Sequence, residues 1–172
     1  MWTLMESPVG TLRVVADGEV IRMVEFVSGP PGPPVTSATP PVSVAHRGHV
    51  GDRDDAVPVL GEAVRQLRAY FDRDLKEFDL PLDPAGTPFQ RRVWEELRRV
   101  GYGQTRSYGE VARRLGLTPA ASRAVGAANG RNPIPIVIPC HRVVGADGSL
   151  TGYAGGIERK QLLLDLETEP LF

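Results

Sequence analysis

The sequence predicts a mixed α/β (α+β) fold in two parts, a small part with strands followed by a helical part. Alternating apolar residues on either side of Asp17-Gly18 predict a β-hairpin near the amino terminus. Five segments of helical periodicity follow, and four of them lie after residue 86. We therefore divide the chain into residues 1–86, an α/β support domain, and residues 87–172, a helical domain.

The composition excludes several kinds of protein. The chain of 172 residues has one cysteine, so neither an internal disulfide nor a zinc–thiolate cluster can support the fold. No apolar run approaches the roughly 20 residues that cross a bilayer, and no basic segment with an apolar run opens the chain. Abundant Arg, Ala, Gly and Pro are typical of GC-rich genomes. We expect an intracellular, cytoplasmic protein, bacterial in origin, with no membrane partner.

Positive charge is concentrated in the middle of the chain. Residues 87–142 contain ten arginines and three acidic residues, whereas the whole chain has a net charge of -1. A basic segment in an otherwise acidic protein is typical of a phosphate-binding face. Solvated arginines on amphipathic helices are the alternative.

The first part contains a hairpin, a long irregular segment and a helix. Strands are predicted over residues 12–16 and 20–26, a helix over residues 60–71, and a short strand at EFDLPLD, residues 77–83. Between them, residues 28–55 contain six prolines and four glycines, which predicts a mobile surface loop. His46 and His49 lie in that segment, but without cysteine partners we favour a loop over a metal site.

The second part opens with a clear helix start. In TPFQRRVWEELRRV, residues 87–100, Thr87 can cap the helix, Pro88 suits its first position, and Gln90 completes a capping box. The predicted buried stripe of this helix is Phe89, Val93, Leu97 and Val100.

Two shorter helices form a predicted helix-turn-helix. SYGEVARRLGL gives a helix ending at Gly116, and TPAASRAVGAANGR gives a second helix that begins behind Thr118-Pro119 and stops near Gly130. The face of the second helix is almost entirely Ala and Gly around Arg123, which favours recognition of DNA shape over base sequence. A last helix is predicted at IERKQLLLDLE.

Cys140 lies in the apolar loop NPIPIVIPCHRVVG and is followed by His141. The thiol is either a small core group or a nucleophile, and a nucleophile needs a base because free thiols have a pKa near 8.5. Consecutive side chains of an extended segment point to opposite sides, so a bridging water or a local twist would have to connect this pair. Asp165 and Glu167 are candidates to fix the histidine tautomer.

The combined motifs resemble a known family. IPCHRVVG, GTPFQRRVWEELRRV, GQTRSYGEVARRLG, SRAVGAANGRNPIPIVIPCHRVV and GYAGGIERKQLLLDLE are similar to the motifs of the O6-alkylguanine-DNA alkyltransferases, the methylated-DNA-protein-cysteine methyltransferases. The similarity is dense from Gly86 to Glu167 and extends more thinly to SPVGTLRVV and QLRAYFDRDLKEFDLPL.

The resemblance implies a fold, a reaction and a partner. The first part would be ribonuclease H-like, and the second would carry a winged-helix-like helix-turn-helix. The protein would bind double-stranded DNA containing O6-alkylguanine through the minor groove, flip the base, and accept the alkyl group irreversibly on Cys140. It would work once, without a cofactor, as a monomer; clustering along DNA is left open.

The resemblance also assigns roles to residues. Cys140 would be the acceptor, His141 would activate it through a water, Glu167 would orient His141, and Asn132 would brace the turn. Tyr108 would contact a phosphate and give its hydroxyl to the departing guanine; a capping or core tyrosine is the alternative. The base pocket would comprise Tyr153, Pro139, Val143 and Ala154, with the backbone carbonyls of Cys140 and Val143 receiving the guanine amino group. The DNA-binding residues would be Arg123, which fills the space left by the base, with Tyr108, Ser122, Ala124, Gly126, Ala127 and Arg131.

Three departures from the family pattern bear on these roles. Ala154 stands where some relatives have serine, which excludes a hydroxyl contribution there. Residues 100–103 contain glycine where proline is common, and the zinc ligands of some relatives are absent, so we expect no structural metal. A non-catalytic branch of the family that binds lesions lacks the cysteine, so the presence of Cys140 favours transfer over sensing. A Cys-His hydrolase is the third alternative.

Overall fold

The computed structural model describes residues 1–27, 51–150, 152–153 and 155–168. It divides the chain into two compact units, Met1–Pro84 and Ala85–Phe172. Most of the predicted mobile loop, with His46 and His49, lies outside the described residues, as does Ala154. Within the described part, no helix is long and apolar enough to cross a membrane.

The first unit is a three-stranded antiparallel sheet with one helix. The strands β1 (Trp2–Met5), β2 (Leu12–Asp17) and β3 (Val20–Phe26) lie in the order β1-β2-β3, and the helix α1 (Pro58–Phe71) contacts all three of them. The β2–β3 hairpin turns at Gly18, whose φ of 60° suits glycine. Its core consists of apolar side chains from the sheet and the helix, among them Leu12, Val14, Ile21, Leu60 and Leu67.

Three details of this unit differ from the sequence prediction. The strand β1 was not predicted, and the end of the predicted loop pairs with it: Trp2 N–H donates to the carbonyl of Asp52 at 3.1 Å and Asp54 N–H donates to the carbonyl of Trp2 at 2.9 Å. The prediction of a strand at residues 77–83 is wrong, because this segment forms only an isolated bridge, between Leu82 and Ile21. Proline at positions 81 and 84 supplies no N–H donor, which limits the ladder.

The second unit begins with α2 (Pro88–Leu97), whose start has the predicted capping box. Thr87 Oγ1 accepts a hydrogen bond from Gln90 N–H at 3.1 Å, and Gln90 Oε1 accepts one from Thr87 N–H at 3.0 Å. Of the predicted stripe, Val93, Leu97 and Val100 are buried and Phe89 is half-buried. The stripe omitted Trp94, which is also buried and donates Nε1–H to the carbonyl of Ala128 at 2.8 Å.

The helix-turn-helix consists of α3 (Tyr108–Arg114), a short 3-10 turn, and α4 (Ser122–Gly130). Ser107 caps α3 by accepting a hydrogen bond from Glu110 N–H at 3.1 Å. Gly116 ends the first helix with a φ of 76°, a backbone conformation that glycine adopts without strain. Both α2 and α3 pack against α4, so the second helix of the motif is held from two sides.

The loop after α4 leads to the cysteine and then to the last helix. The strand β4 (Arg106–Ser107) pairs in parallel with β5 (Val143–Val144), which follows a 3-10 turn at Cys140–Arg142. The helix α5 (Ile157–Thr168) buries Lys160, Leu163 and Glu167, which share one face at i, i+3 and i+7. The mixed α/β fold with a helical second part is therefore confirmed.

Candidate active site and DNA-binding face

Asn132 holds the loop that leads to Cys140. Its Nδ2 donates to the carbonyl of Ile138 at 2.8 Å, and its Oδ1 accepts from Ile134 N–H at 2.9 Å. The loop is closed further by Ile138 N–H, which donates to the carbonyl of Ile134 at 2.9 Å. One buried side chain thus satisfies two backbone groups of an apolar loop that has few other polar partners.

Ile136, in the middle of this loop, has a φ of 73° and is fully buried. A β-branched residue in the left-handed region costs on the order of 1–3 kcal/mol. Such strain persists only where the surroundings over-determine the backbone, as they do here through Asn132 and the apolar packing.

The thiol of Cys140 is almost completely buried, with 3% of the residue exposed. Burial raises its pKa to about 11, although a hydrogen bond from Asn132 and the positive charge of Lys160 act in the opposite direction. At neutral pH the group is therefore a protonated thiol, and it needs a base to become a nucleophile.

His141 follows Cys140 in the chain and is held by a carboxylate. Its Nε2 lies 2.6 Å from Glu167 Oε2, and burial lowers the pKa of the imidazole despite this carboxylate. Because a neutral imidazole whose Nε2–H donates to a carboxylate has its lone pair on Nδ1, that atom is free to take a proton. Nδ1 is buried and has no hydrogen-bond partner among the described residues. No hydrogen bond joins Sγ of Cys140 to the ring within the same set of residues.

Glu167 is fixed by Arg142 as well as by His141. Arg142 Nε donates to Glu167 Oε1 at 2.6 Å, and Arg142 Nη1 donates to the carbonyl of Val100 at 2.7 Å. Burial alone would raise the pKa of Glu167, but hydrogen bonds from His141 and Arg142 and the positive charge of Arg142 outweigh it and lower the pKa to about 2. Glu167 is therefore an anion over the whole physiological range.

Of the two acids considered for this role, the structure brings Glu167 and not Asp165 to His141. Asp165 is exposed on α5 and accepts a hydrogen bond from Gln161 Nε2 at 2.7 Å. Residues 160 and 167 lie two helical turns apart and face the core, whereas residue 165 lies on the opposite side.

Three polar residues of the site were not predicted from the sequence. Arg142 fixes the carboxylate, Lys160 donates from Nζ to the carbonyl of Val143 at 2.6 Å, and Asn129 donates from Nδ2 to the carbonyl of Cys140 at 3.3 Å. Lys160 is fully buried, and it is one of only two lysines in the chain. The sequence did contain a signal for Lys160, since it is a single lysine on an otherwise apolar helix face and lies seven residues before Glu167.

Three of the four predicted pocket residues are described by the structure. Pro139, Val143 and Tyr153 are buried. Tyr108 is half-buried at the first position of α3, and a methyl group added at Gly126 would lie 3.7 Å from its ring, while one at Gly152 would lie 3.6 Å from its hydroxyl. Both distances are ordinary van der Waals separations, so Tyr108 lies close to α4 and its hydroxyl lies close to Gly152.

The predicted DNA-binding residues of α4 form a polar and small-residue surface. Arg123, Ala124, Ala127 and Arg131 are exposed, while Ser122 and Gly126 are half-buried. Ser122 Oγ donates to the carbonyl of Pro119 at 2.6 Å and so closes the turn before the helix. Neither Arg123 nor Arg131 forms an ion pair with any residue that the structure describes, which leaves both guanidinium groups available to phosphates.

Comparison with known proteins identifies the family. Residues 88–169 match the family model described as 6-O-methylguanine DNA methyltransferase, DNA binding domain, and residues 1–84 match the model for its ribonuclease-like domain. The methylated-DNA--protein-cysteine methyltransferase of Methanosarcina acetivorans is 45% identical over 166 residues, which are 96% of this chain and 97% of that protein. The protein of the same name from Mycobacterium bovis is 46% identical over 163 residues, 95% of this chain and 89% of that protein.

A solved structure agrees with both findings. The crystal structure of Mycobacterium tuberculosis OGT in complex with DNA matches with a TM-score of 0.82 and 44% sequence identity, covering 97% of this chain and 92% of that one. The two family models together span nearly the whole sequence, and the buried cysteine, histidine and glutamate lie in the DNA-binding domain, residues 88–169. This chain therefore belongs to the 6-O-methylguanine DNA methyltransferase family.

Proposed function

We propose that the chain repairs DNA by moving a methyl or small alkyl group from O6 of guanine in duplex DNA to Sγ of its own Cys140. The observation that supports this most is the buried series Cys140, His141, Glu167 and Arg142, in which a protonated thiol adjoins a neutral imidazole fixed by an anion. In the transfer a sulfur–carbon bond forms, the carbon–oxygen bond to O6 breaks, and the electron pair stays on the guanine.

His141 generates the nucleophile in this proposal. The thiol proton passes through a bridging water to Nδ1, and the imidazolium that forms is stabilised by Glu167, whose carboxylate lies 2.6 Å from Nε2. The positive charge of Lys160 favours the thiolate at the same moment. Catalysis therefore depends on a base that is held neutral until the substrate is present.

Departure of the guanine needs a proton donor. The negative charge that develops on the base is quenched by the hydroxyl of Tyr108, which lies beside Gly152 next to the predicted pocket. Tyr153, Pro139 and Val143 enclose the alkylated base, and Asn132 keeps the loop in place. The fourth residue assigned to the pocket is Ala154, which follows Tyr153 in the sequence.

Binding to duplex DNA is assigned to α4. Its exposed small residues allow close approach to the sugar–phosphate backbone, and Arg123 fills the space that the flipped nucleotide leaves. Ser122, Ala124, Gly126, Ala127 and Arg131 form the remaining contact surface. All the proposed catalytic groups come from one chain, which supports action as a monomer.

The reaction consumes the protein, because the thioether formed on Cys140 is stable. The test is a titration of duplex DNA that contains one O6-methylguanine with purified protein, in which restored guanine is counted. We expect restored guanine to reach one equivalent per protein and to stop there, with no added cofactor. Restored guanine well above one equivalent would favour a hydrolase or another turnover enzyme, and none at all would favour a lesion-binding protein.

A further inference from the structure

The turn between α2 and β4, residues 100–103, contacts both members of the buried ion pair beside the active-site imidazole. The carbonyl of Val100 accepts a hydrogen bond from Arg142 Nη1 at 2.7 Å, and Gly103 N–H donates to Glu167 Oε1 at 3.4 Å. The turn thus offers an acceptor to the cation and a donor to the anion. The proposed transfer assigns no role to this turn.

Tyr102, in the middle of the turn, covers the guanidinium group of Arg142. The ring centroid lies 5.8 Å from Arg142 Cζ, within the range of a cation–π contact, and the hydroxyl donates a long hydrogen bond of 3.5 Å to the carbonyl of Leu166. Tyr102 is half-buried, whereas only 6% of Arg142 is exposed. Because the ring is partly exposed and the cation is not, the ring is a cover over that part of the ion pair.

The backbone of the turn is held in position by its own contacts. Gln104 N–H donates to the carbonyl of Gly101 at 3.0 Å, and Gln104 Oε1 accepts from Gly101 N–H at 3.3 Å. Gly103 has a φ of 74°, and a methyl group added there would lie 3.3 Å from the backbone oxygen of Glu167. Glycine therefore allows the turn to approach the end of α5 closely.

Exclusion of water matters for this ion pair because the strength of the pair depends on the local dielectric. Arg142 donates to Glu167 through Nε at 2.6 Å and through Nη2 at 3.2 Å, so the guanidinium and carboxylate groups meet side by side. Two opposite charges attract more strongly where water is absent. Water that reached Arg142 would compete for its donors, and the carboxylate would then be less firmly oriented toward the imidazole.

We propose that Tyr102 is a positioning residue for alkyl transfer: its ring keeps water from the pair of Arg142 and Glu167 and so fixes the carboxylate against the imidazole. The proposal rests on the proposed alkyl transfer to Cys140. Tyr102 acts on the reaction only through the ion pair and takes no part in binding DNA.

The first experiment measures transfer in Tyr102→Leu, which removes the ring; if this variant does not fold, Tyr102→Met takes its place. Single-turnover rates are measured on duplex DNA with one O6-methylguanine and on free O6-benzylguanine. Both rates should fall about ten- to hundredfold, because a misoriented imidazole slows the chemistry on either substrate. Duplex affinity, measured by fluorescence anisotropy, should stay within about twofold. Unchanged rates, or a loss confined to duplex DNA, would overturn the proposal.

Two further variants test whether this particular ring is responsible. Tyr102→Phe keeps the ring and loses only the long hydrogen bond to Leu166, so it should transfer within about threefold of the unmodified rate. Phe89→Leu is the matched control, because it removes a half-buried ring from α2 of the same unit, and both of its rates should stay within about twofold. A Tyr102→Phe protein as slow as Tyr102→Leu, or an equal loss in Phe89→Leu, would contradict the proposal.

A double-mutant comparison separates positioning from a general loosening of the fold. Since Tyr102 acts through the carboxylate, Tyr102→Leu should cost less than about twofold once Glu167→Gln has removed that carboxylate. A loss of equal size in both backgrounds would assign Tyr102 to folding alone and overturn the proposal. Failure of the unmodified protein to transfer an alkyl group from either substrate would instead overturn the proposed function, and this inference with it.

Discussion

At the scale of single residues, the protonation state of Cys140 determines how reactive its thiol is. A thiol whose pKa is raised to about 11 by burial is more than 99% protonated at neutral pH, so the free protein holds its nucleophile in an inactive form. In the proposed transfer, reaction with a bound lesion requires the adjacent base. Such an arrangement would protect a protein that reacts only once.

A titration by an external alkylating reagent tests that pKa. Without DNA, the rate of carbamidomethylation of native Cys140 by iodoacetamide should rise about tenfold per pH unit through pH 10, since burial raises the pKa of the folded thiol to about 11. In denaturant the rate should level off near pH 9. Intact-protein mass follows the single cysteine directly, and a native rate that levels off below pH 9 would refute the raised pKa.

Glu167 is expected to act through the tautomer and charge of His141. In Glu167→Gln the anion is lost, so transfer should slow about 10²- to 10⁴-fold while duplex binding changes little. Arg142 would lose its carboxylate partner, and the free energy of unfolding should fall by about 3–5 kcal/mol.

Asp165→Asn is the matched control for this variant. Asp165 is an exposed acid of the same helix that contacts Gln161, so its removal should leave the transfer rate within about twofold. A Glu167→Gln protein that transfers at the unmodified rate would exclude the carboxylate from the mechanism.

At the scale of elements, the helix-turn-helix is proposed to link DNA binding to base extrusion. Arg123→Ala should slow transfer from duplex DNA by about tenfold or more and leave transfer from free O6-benzylguanine within about twofold, because only the duplex requires extrusion. Rates on both substrates are measured with the same preparation. Arg98→Ala, which removes an exposed arginine paired with Glu95 on α2, is the control and should affect neither rate. An equal loss on both substrates would assign Arg123 to chemistry or folding.

Elements with a strong local signal could be predicted from the sequence. The start of α2 followed from Thr87, Pro88 and Gln90, because a capping box is a contact between neighbours in the chain. The strand β1 has only four residues, and its pairing with residues 52–54 joins distant parts of the sequence, so no local pattern indicated it. The segment at residues 77–83 has strand-like composition, but proline limits its pairing to one bridge.

The residues of the candidate site also include some that the sequence could indicate and some that it could not. Cys140, His141 and Glu167 could be named because they belong to recognisable motifs. Asn129, Arg142 and Lys160 act on atoms 11 to 25 residues away, and three-dimensional packing decides such contacts. Helical periodicity places residues 160 and 167 on one face of a helix, but it does not determine which groups that face contacts.

At the scale of the whole molecule, half of the twenty basic residues lie within residues 87–142, which include the surface expected to bind DNA. Among the described residues, four exposed arginines of the helix-turn-helix region, Arg113, Arg114, Arg123 and Arg131, form no ion pair. If each neutralises one phosphate, the logarithm of the binding constant should fall with the logarithm of salt concentration with a slope of about -3.6. A fourfold rise in salt then weakens binding about a hundredfold.

Single variants measure how much each arginine contributes to this slope. Arg131→Ala should reduce it by about 0.9, measured by fluorescence anisotropy of a labelled duplex over a series of salt concentrations. Arg65→Ala removes an arginine of α1 that is paired with Glu62, so it should leave the slope unchanged. A slope near zero for the unmodified protein would contradict binding through phosphates.

The mass of the protein after contact with a lesion tests the central claim most directly. Purified protein is mixed with a duplex that carries a single O6-methylguanine, and intact mass and peptide mapping locate any added group. We predict a gain of one methyl group on Cys140 that saturates at one per protein, and no gain for Cys140→Ser, which still binds the duplex. An unchanged mass for the unmodified protein while the duplex is bound would contradict the account, and Cys140 would then be a packing residue in a lesion-binding protein.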